Sequence, residues 1–303
     1  MIKFKENISL KDYSTFKIGG VSKYFIEIKN KEDLKKVISE IDMPFRILGG
    51  GSNTLISDDY FNGLTIVFKT DKPQIIVNDM GCSGIINVEA CVPFSFLIAK
   101  LKSFVGLEWG VGIPGTIGGA INGNAGAFEE SIGDSVSSVE VLEIGKGIKK
   151  FEKKDCNFGY RTSIFKNNPN LIILSAELNL NKGSSLKKIK ENIKKRKLNN
   201  PKGFSIGCIF KNHYGEIDFK KHSQFKEFYE KKGYISAGML IEECGLKGFS
   251  IGDAKISSEH ANFIINLKNA KSENVLKLIN FTKEQVKNKF LINLEEEIQI
   301  FHV

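Results

Sequence analysis

Arginine is almost missing from this chain. Of 44 basic residues in 303, three are arginine, at positions 46, 161 and 196. A surface that reads nucleic acid prefers the planar guanidinium fork for phosphates and base edges. The formal charge of +9 is therefore a lysine charge. Its densest run, LKKIKENIKKRKL at 186–198, has helical spacing with Leu186, Ile189, Ile193 and Leu198 on one face. That pattern predicts a helix with a solvated basic face and no nucleic-acid partner. Cysteine is scarce as well. Five residues at 82, 91, 156, 208 and 244, with no C-x-x-C pair and no histidine at zinc-ligand spacing, read as reduced thiols rather than a disulfide frame. Four scattered histidines form no metal motif. No apolar run approaches the ~18 residues of a membrane span, and MIKFKENISLKDYSTFKIGG at the N-terminus lacks the apolar centre of a signal peptide. The expectation is a soluble cytoplasmic protein with no membrane partner. An apolar content of 41% with interspersed charge excludes disorder, and the length predicts about two or three domains.

The elements read as α+β. Tyr24–Ile28 alternates like a strand, and Asn30 caps a helix running to Ile41 with Glu32 and Asp33 in its first turn. Strands are expected at 45–48, 64–68, 74–78, 85–91, 136–144 and 171–180, and a helix at 94–105. Nine glycines fall between 106 and 133, a density that argues against any helix there. The basic helix at 184–198 leads to a last segment with a helix at 237–244, a strand at 262–267, a helix at 272–290 and a strand at 297–303. Ser272 is the expected cap of that helix, whose buried stripe is Val275, Leu278, Ile279, Thr282, Val286 and Phe290. Domain boundaries are expected near 70 and 184, giving parts 1–70, 71–183 and 184–303.

GVGIPG at 110–115 is a literal G-x-G-x-x-G, but a dinucleotide fingerprint must follow a strand and open a helix. TIGGAINGNAGA, which comes next, shows no apolar period of 3.6 residues, so this route to a dinucleotide is not expected. Two glycine clusters suggest another: GGGSN at 49–53 and GIPGTIGGAINGNAG at 112–126. Glycine lets backbone approach a ligand and turn N–H groups toward phosphate oxygens, with Ser52, Asn53, Thr116 and Asn124 as uncharged donors. Neither cluster has the lysine of a P-loop. Together they point to a phosphate-bearing cofactor.

These two clusters, then FGYRTSIFK at 158–166, GCIFKN at 207–212 and GDAKISSEHANFIIN at 252–266, in this order, resemble the UDP-N-acetylenolpyruvoylglucosamine reductase family over essentially the whole chain. The resemblance implies an α+β chain in which a two-domain FAD-binding module of the PCMH/VAO type is followed by a C-terminal α+β substrate domain. It implies an NADPH-dependent flavoenzyme of bacterial wall-precursor synthesis that reduces an enolpyruvyl ether on a UDP-sugar to a lactyl ether. With no obvious insertion between Arg161 and Cys208, the chain resembles the shorter subclass. FAD would be noncovalent, since neither glycine cluster contains His or Cys. Another FAD-dependent oxidoreductase on the same scaffold, with a different small substrate, stays open as the alternative. A cofactor-free basic binding module would be the reading from outside enzymology.

The resemblance also assigns residues. Gly49, Gly50, Gly51, Ser52, Asn53, Gly112, Pro114, Gly115, Thr116, Gly118, Gly119, Asn124, Ala125 and Gly126 would hold FAD. Arg161 would be the fixed cation for the charge that forms when a hydride adds to one alkene carbon, because it is always charged and grips a carboxylate with two donors. The family's proton-donating serine is Cys208 here, a departure at a reacting atom. A thiol with a pKa near ~8.5 is a competent acid, though an oxidisable one. Glu297 in LEEEIQI corresponds to the family's assisting glutamate, with Glu295 in reserve on the same strand face. Tyr160, Lys197, Lys211, Asn212 and His260 would meet the substrate. Phe128 stands where the family often has tyrosine, and His213 replaces the usual proline.

Overall fold

The computed structural model describes residues 3–301, which form two compact units. The first comprises the segment ending at Ile8, Ser22–Gly50 and Asn62–Leu198. The second comprises Ser9–Val21, Gly51–Phe61 and the chain from Asn199 onward.

In the first unit a four-stranded sheet has the order Lys5–Ser9, Val21–Ile28, Phe61–Phe68, Phe45–Leu48. Its last two strands run parallel, with Phe45 opposite Leu64 and Leu48 opposite Val67. Helix α1 (Lys31–Glu40) connects 21–28 to 45–48, and its first turn is capped as the sequence predicts: the Asn30 Oδ1 accepts the Asp33 N–H at 2.8 Å. A second sheet is antiparallel, with Gly147–Glu152, Val136–Glu143, Leu171–Lys182, Ser83–Glu89 and Ile75–Asp79 in order. Strand 83–89 buries every second residue, while Leu171–Leu174 is buried on both faces. One apolar core serves both sheets, joining Leu34 and Ile66 to Ile86, Leu97, Trp109 and Leu174.

The helix expected over 94–105 is shorter. α2 ends at Lys100, and Phe104–Val105 instead pairs with Lys182 and Asn181. The long strand 171–182 offers backbone groups there that would otherwise go unpaired. The expectation of no helix within 106–133 is also overturned: Ile117–Asn122 forms α3 and Ile132–Ser135 a one-turn α4. Thr116 caps α3 by accepting the Gly119 N–H at 3.3 Å, and Ile117, Ala120 and Ile121 bury one face. Tertiary packing thus overrides propensity. The glycines inside α3 serve close approach, since a Cβ at Gly118 would lie 2.9 Å from the Ala90 Cβ and 3.2 Å from its carbonyl oxygen. α5 (Ile164–Asn167) and α6 (Leu186–Asn199) complete this unit. On α6 the expected apolar face holds only at Ile189, which packs against the core; Leu186, Ile193 and Leu198 are exposed, and the fully buried residue is Asn192.

The second unit packs α7 (Lys226–Lys232), α8 (Ala237–Glu243) and α9 (Ser272–Phe290) with a three-stranded antiparallel sheet, Ser250–Ile251, Ala254–Ile256 and Ile264–Asn266. Phe16, Ile18 and Leu55 join Ile209, Leu240, Leu278 and Ile298 in its core. Thr54–Ile56 pairs in parallel with Gln299–Phe301. The last strand is therefore shorter than expected, and positions 302–303 of that expectation lie outside the described residues. The expected stripe of α9 is buried in full. Its expected cap is corrected: Lys271 is the N-cap, and the Ser272 N–H is taken by the Asp58 carboxylate, while Ser272 Oγ accepts the Asp58 N–H at 3.1 Å. A cap from a residue 214 positions away has no local sequence signal.

Gly118→Ala tests the packing account. An exposed helix gains about 0.5–1 kcal/mol from this change, whereas overpacking against fixed backbone costs about 1–3 kcal/mol. The expected outcome is a net loss of stability, read as a lower urea midpoint; a higher midpoint would contradict the account.

Candidate functional site

In the first unit the two glycine clusters meet. A Cβ on Gly50 would lie 2.5 Å from the Gly115 Cα, and one on Gly49 would lie 2.7 Å from Thr116 Oγ1. Side chains at these positions would push the segments apart. The second cluster is zipped onto 90–94: Phe94 N–H donates to Gly115 O, Ile117 N–H to Val92 O and Gly118 N–H to Ala90 O, at 2.9–3.0 Å. Gly112 and Gly115 have φ of +77° and +114°, conformations that favour glycine. At Gly112 an added Cβ would find one neighbour within 4 Å, the Arg196 Cδ at 3.4 Å. The loop is thus small, glycine-lined and open at that point, which fits a diphosphate held by backbone N–H groups.

Asn124, buried, ties this loop to the FGYR turn. Its Nδ2 donates to Gly159 O at 2.8 Å and its Oδ1 accepts the Gly133 N–H at 3.0 Å. Arg161 sits in that turn, where Gly159 and Thr162 pair. Its φ is +55°, a conformation costing a non-glycine residue on the order of 1 kcal/mol. The guanidinium Nη2 donates to Gly126 O at 2.7 Å and lies 5.2 Å over the Tyr160 ring. Ser163, directly after the turn, donates to Asn122 O and caps α5. The predicted cation is thereby built into the predicted cofactor segment.

The second unit gathers the remaining motifs. Gly51 has φ +58°, and a Cβ there would fall 2.0 Å from Tyr13 O. Segment 208–211 runs between two others. On one side Cys208 pairs with Phe263, and Ile209 N–H donates to Asn262 O. On the other, Glu297 N–H donates to Ile209 O and Lys211 N–H to Glu295 O, both at 2.8 Å. Cys208, the EHANF motif and the LEEEIQI segment are thus brought together. Asn53 joins them, its Nδ2 donating to Glu297 O at 3.3 Å and its O accepting the Gln299 N–H. Glu295 pairs with Lys211 at 3.2 Å and Glu296 with Lys283 at 2.9 Å. Asn212 Oδ1 accepts the Ala237 N–H at the start of α8. Lys197 is exposed on α6, in the first unit.

His260 stands edge-on to Phe263, and its Nδ1 accepts the Asn262 N–H. Burial holds its pKa below the ordinary 6.5, as expected for an imidazole withdrawn from water. Residues the sequence did not single out are Asn262, whose carboxamide makes two bonds to the Phe210 backbone in the manner of a strand partner, and Asn192. Asn262 lies inside a quoted motif and so had a signal; Asn192, amid lysines, had none. Among the described residues no cluster of His, Cys, Asp and Glu fits a metal ion, and no helix is long and apolar enough to cross a membrane.

A family model described as an FAD binding domain matches residues 22–149, and one described as UDP-N-acetylenolpyruvoylglucosamine reductase, C-terminal domain, matches 199–301. Curated UDP-N-acetylenolpyruvoylglucosamine reductases of Chlamydia felis and Prochlorococcus marinus subsp. pastoris are 37% and 38% identical. These alignments cover 98% and 99% of this chain and 94% and 97% of the relatives. The crystal structure of the Thermus caldophilus enzyme matches with a TM-score of 0.77 at 30% identity, covering both chains entirely. An FAD domain that carries both glycine clusters, joined to a reductase domain that carries GCIFKN and GDAKISSEHANFIIN, defines an FAD-containing oxidoreductase. The chain belongs to the UDP-N-acetylenolpyruvoylglucosamine reductase family.

The His260 environment predicts a pH dependence. A histidine whose folded pKa is depressed leaves the unfolded chain binding more protons, so its stability contribution is whole above about pH 6.5 and is lost as pH falls below it. His260→Gln should flatten the fall in melting temperature between about pH 7 and 5; an unchanged slope would contradict the assignment.

Proposed function

We infer that this protein reduces UDP-N-acetylglucosamine enolpyruvate to UDP-N-acetylmuramate, with NADPH as the reductant and noncovalent FAD as the carrier. The observation that carries the reading is the build of segment 208–211: the family's proton-donor position is pinned between the segment of His260 and that of Glu297 by backbone bonds on both sides. The setting is cytoplasmic supply of peptidoglycan precursors, and with it cell shape and division. Nucleic acid has no place in this reading, which the docking of Arg196 inside the first unit supports. Residues 1–70 and 71–183 are assigned as the halves of the FAD module, with the break between strands ending at Phe68 and starting at Ile75. α6 is the passage to the substrate domain at 184–303.

Gly49, Gly50, Gly112, Pro114, Gly115, Thr116, Gly118, Gly119, Ala125 and Gly126 are assigned to the cofactor, with Asn124 fixing their segment and Gly51, Ser52 and Asn53 closing the first cluster. When bound and reduced, FAD supplies the hydride. Arg161 holds the substrate carboxylate and balances the negative charge that develops next to it. A guanidinium already fixed by Gly126 O needs little reorganisation as that charge grows. The Cys208 thiol gives its proton to the carbon left electron-rich, and Glu297 assists at the same carbon. Tyr160, Lys197, Lys211, Asn212 and His260 are assigned to the UDP-sugar.

Cys208→Ala tests the donor. In anaerobic rapid mixing, NADPH should bleach the flavin at the wild-type rate, while return of colour on adding the enolpyruvyl sugar nucleotide should slow by about a hundredfold or more, the share of a general acid. Cys208→Ser should restore much of the second rate. Two unchanged steps in Cys208→Ala would overturn the assignment.

A further inference from the structure

The basic helix α6 docks through a mixed face, on which Ile189 packs against the core beside Asn192 and Arg196. Leu186 and Ile193 are 45% and 38% exposed, while Asn192 is 3% exposed. A buried carboxamide is costly unless bonded, and this one is: Asn192 Nδ2 donates to Glu108 O at 3.0 Å. One helical turn on, Arg196 Nη2 donates to the next carbonyl, Trp109 O, at 2.8 Å. Residues four apart share a helix face, so two donors on one face read two successive carbonyls.

Those carbonyls begin the GVGIPG loop. A carbonyl and the following N–H belong to one planar peptide, so fixing Glu108 O and Trp109 O also fixes the planes that carry the Trp109 and Gly110 N–H groups. The Glu108 carboxylate accepts the Gly106 N–H at 2.7 Å and Trp109 Nε1 donates to Gly106 O at 3.1 Å, which closes the turn from the other end. Arg196 goes further into the loop, since its Cδ is the neighbour that a Cβ on Gly112 would meet. The Phe128 ring lies 5.5 Å from the guanidinium carbon and 5.3 Å from the Lys195 ammonium. Phe128 and Glu129 form a two-residue hairpin turn with φ of +55° and +70°, where glycine or asparagine is usual. Side chains held in such a conformation persist when their surroundings fix them.

We propose that Asn192 and Arg196 are positioning residues of the cofactor loop, a two-donor clamp that holds GVGIPG in the shape that receives FAD. The proposal rests on the assignment of that loop to FAD. It gives one of the three arginines a task that lysine fits poorly: a planar donor that bonds a carbonyl while lying against an aromatic ring.

The test is FAD affinity of the full chain after removal of bound flavin, read by quenching of flavin fluorescence, beside the urea midpoint of the same flavin-free protein. Arg196→Ala should weaken FAD on the order of tenfold or more, the size of a charge-assisted hydrogen bond, with Arg196→Lys recovering part. Lys188→Ala, which removes the ion pair of the same helix with Glu130, should leave FAD affinity unchanged. Unchanged affinity in Arg196→Ala, or equal weakening in Lys188→Ala at a matched loss of midpoint, would overturn the clamp. Gly112→Ala separates the two layers. Weakened FAD there beside unchanged FAD in Arg196→Ala overturns the clamp alone, whereas unchanged FAD in Gly112→Ala overturns the loop assignment and the clamp with it.

Discussion

A single backbone carbonyl, that of Gly126, ties the FGYR turn to the glycine-rich segment. It receives the Arg161 guanidinium, and the residue two before it, Asn124, binds the turn on which Arg161 sits. The glycine-rich segment and the FGYR turn are therefore one object. The cost of placing an arginine at φ +55° is offset by that object, because two hydrogen bonds with the glycine-rich segment converge on a turn of four residues. In the proposed reaction a permanently charged group acts on a carboxylate best when its position is fixed before the charge appears, and the Gly126 carbonyl is one group that fixes Arg161.

The same economy holds in the second unit. Cys208 lies in a segment whose neighbours on both sides are determined by main-chain bonds, and Asn262 completes the ladder where the backbone alone leaves Phe210 unpaired. If Cys208 is the donor as proposed, cysteine in place of serine would alter the acid while leaving this backbone frame intact. The frame depends on N–H and C=O groups that do not include the reacting atom.

How much of this was legible depended on whether the determining contacts were local. The Asn30 cap and the stripe of α9 depend on residues three or four apart, and the strand at Phe45–Leu48 on a short contiguous run, so all three are legible. α3 was missed because glycine propensity was weighed without the Ala90 contact that requires glycine. The Ser272 cap failed because Asp58 comes from a distant segment. On α6 hydrophobic spacing finds Ile189 on the docked face but not Asn192, since spacing carries no information about a buried asparagine that finds a carbonyl. In the site, the motifs were legible from their order, and the ties between them were not. Asn124 to Gly159, Asn53 to Glu297 and Arg196 to Trp109 join residues 35, 244 and 87 positions apart.

The central claim is that Arg161 is held in advance for charge that develops on the substrate. Anaerobic rapid mixing of Arg161→Lys tests it most directly. The account predicts a variant that keeps its yellow cofactor, is bleached by NADPH at close to the native rate, and recovers colour with the enolpyruvyl sugar nucleotide about a hundredfold more slowly or worse. Recovery of colour at the native rate would contradict it.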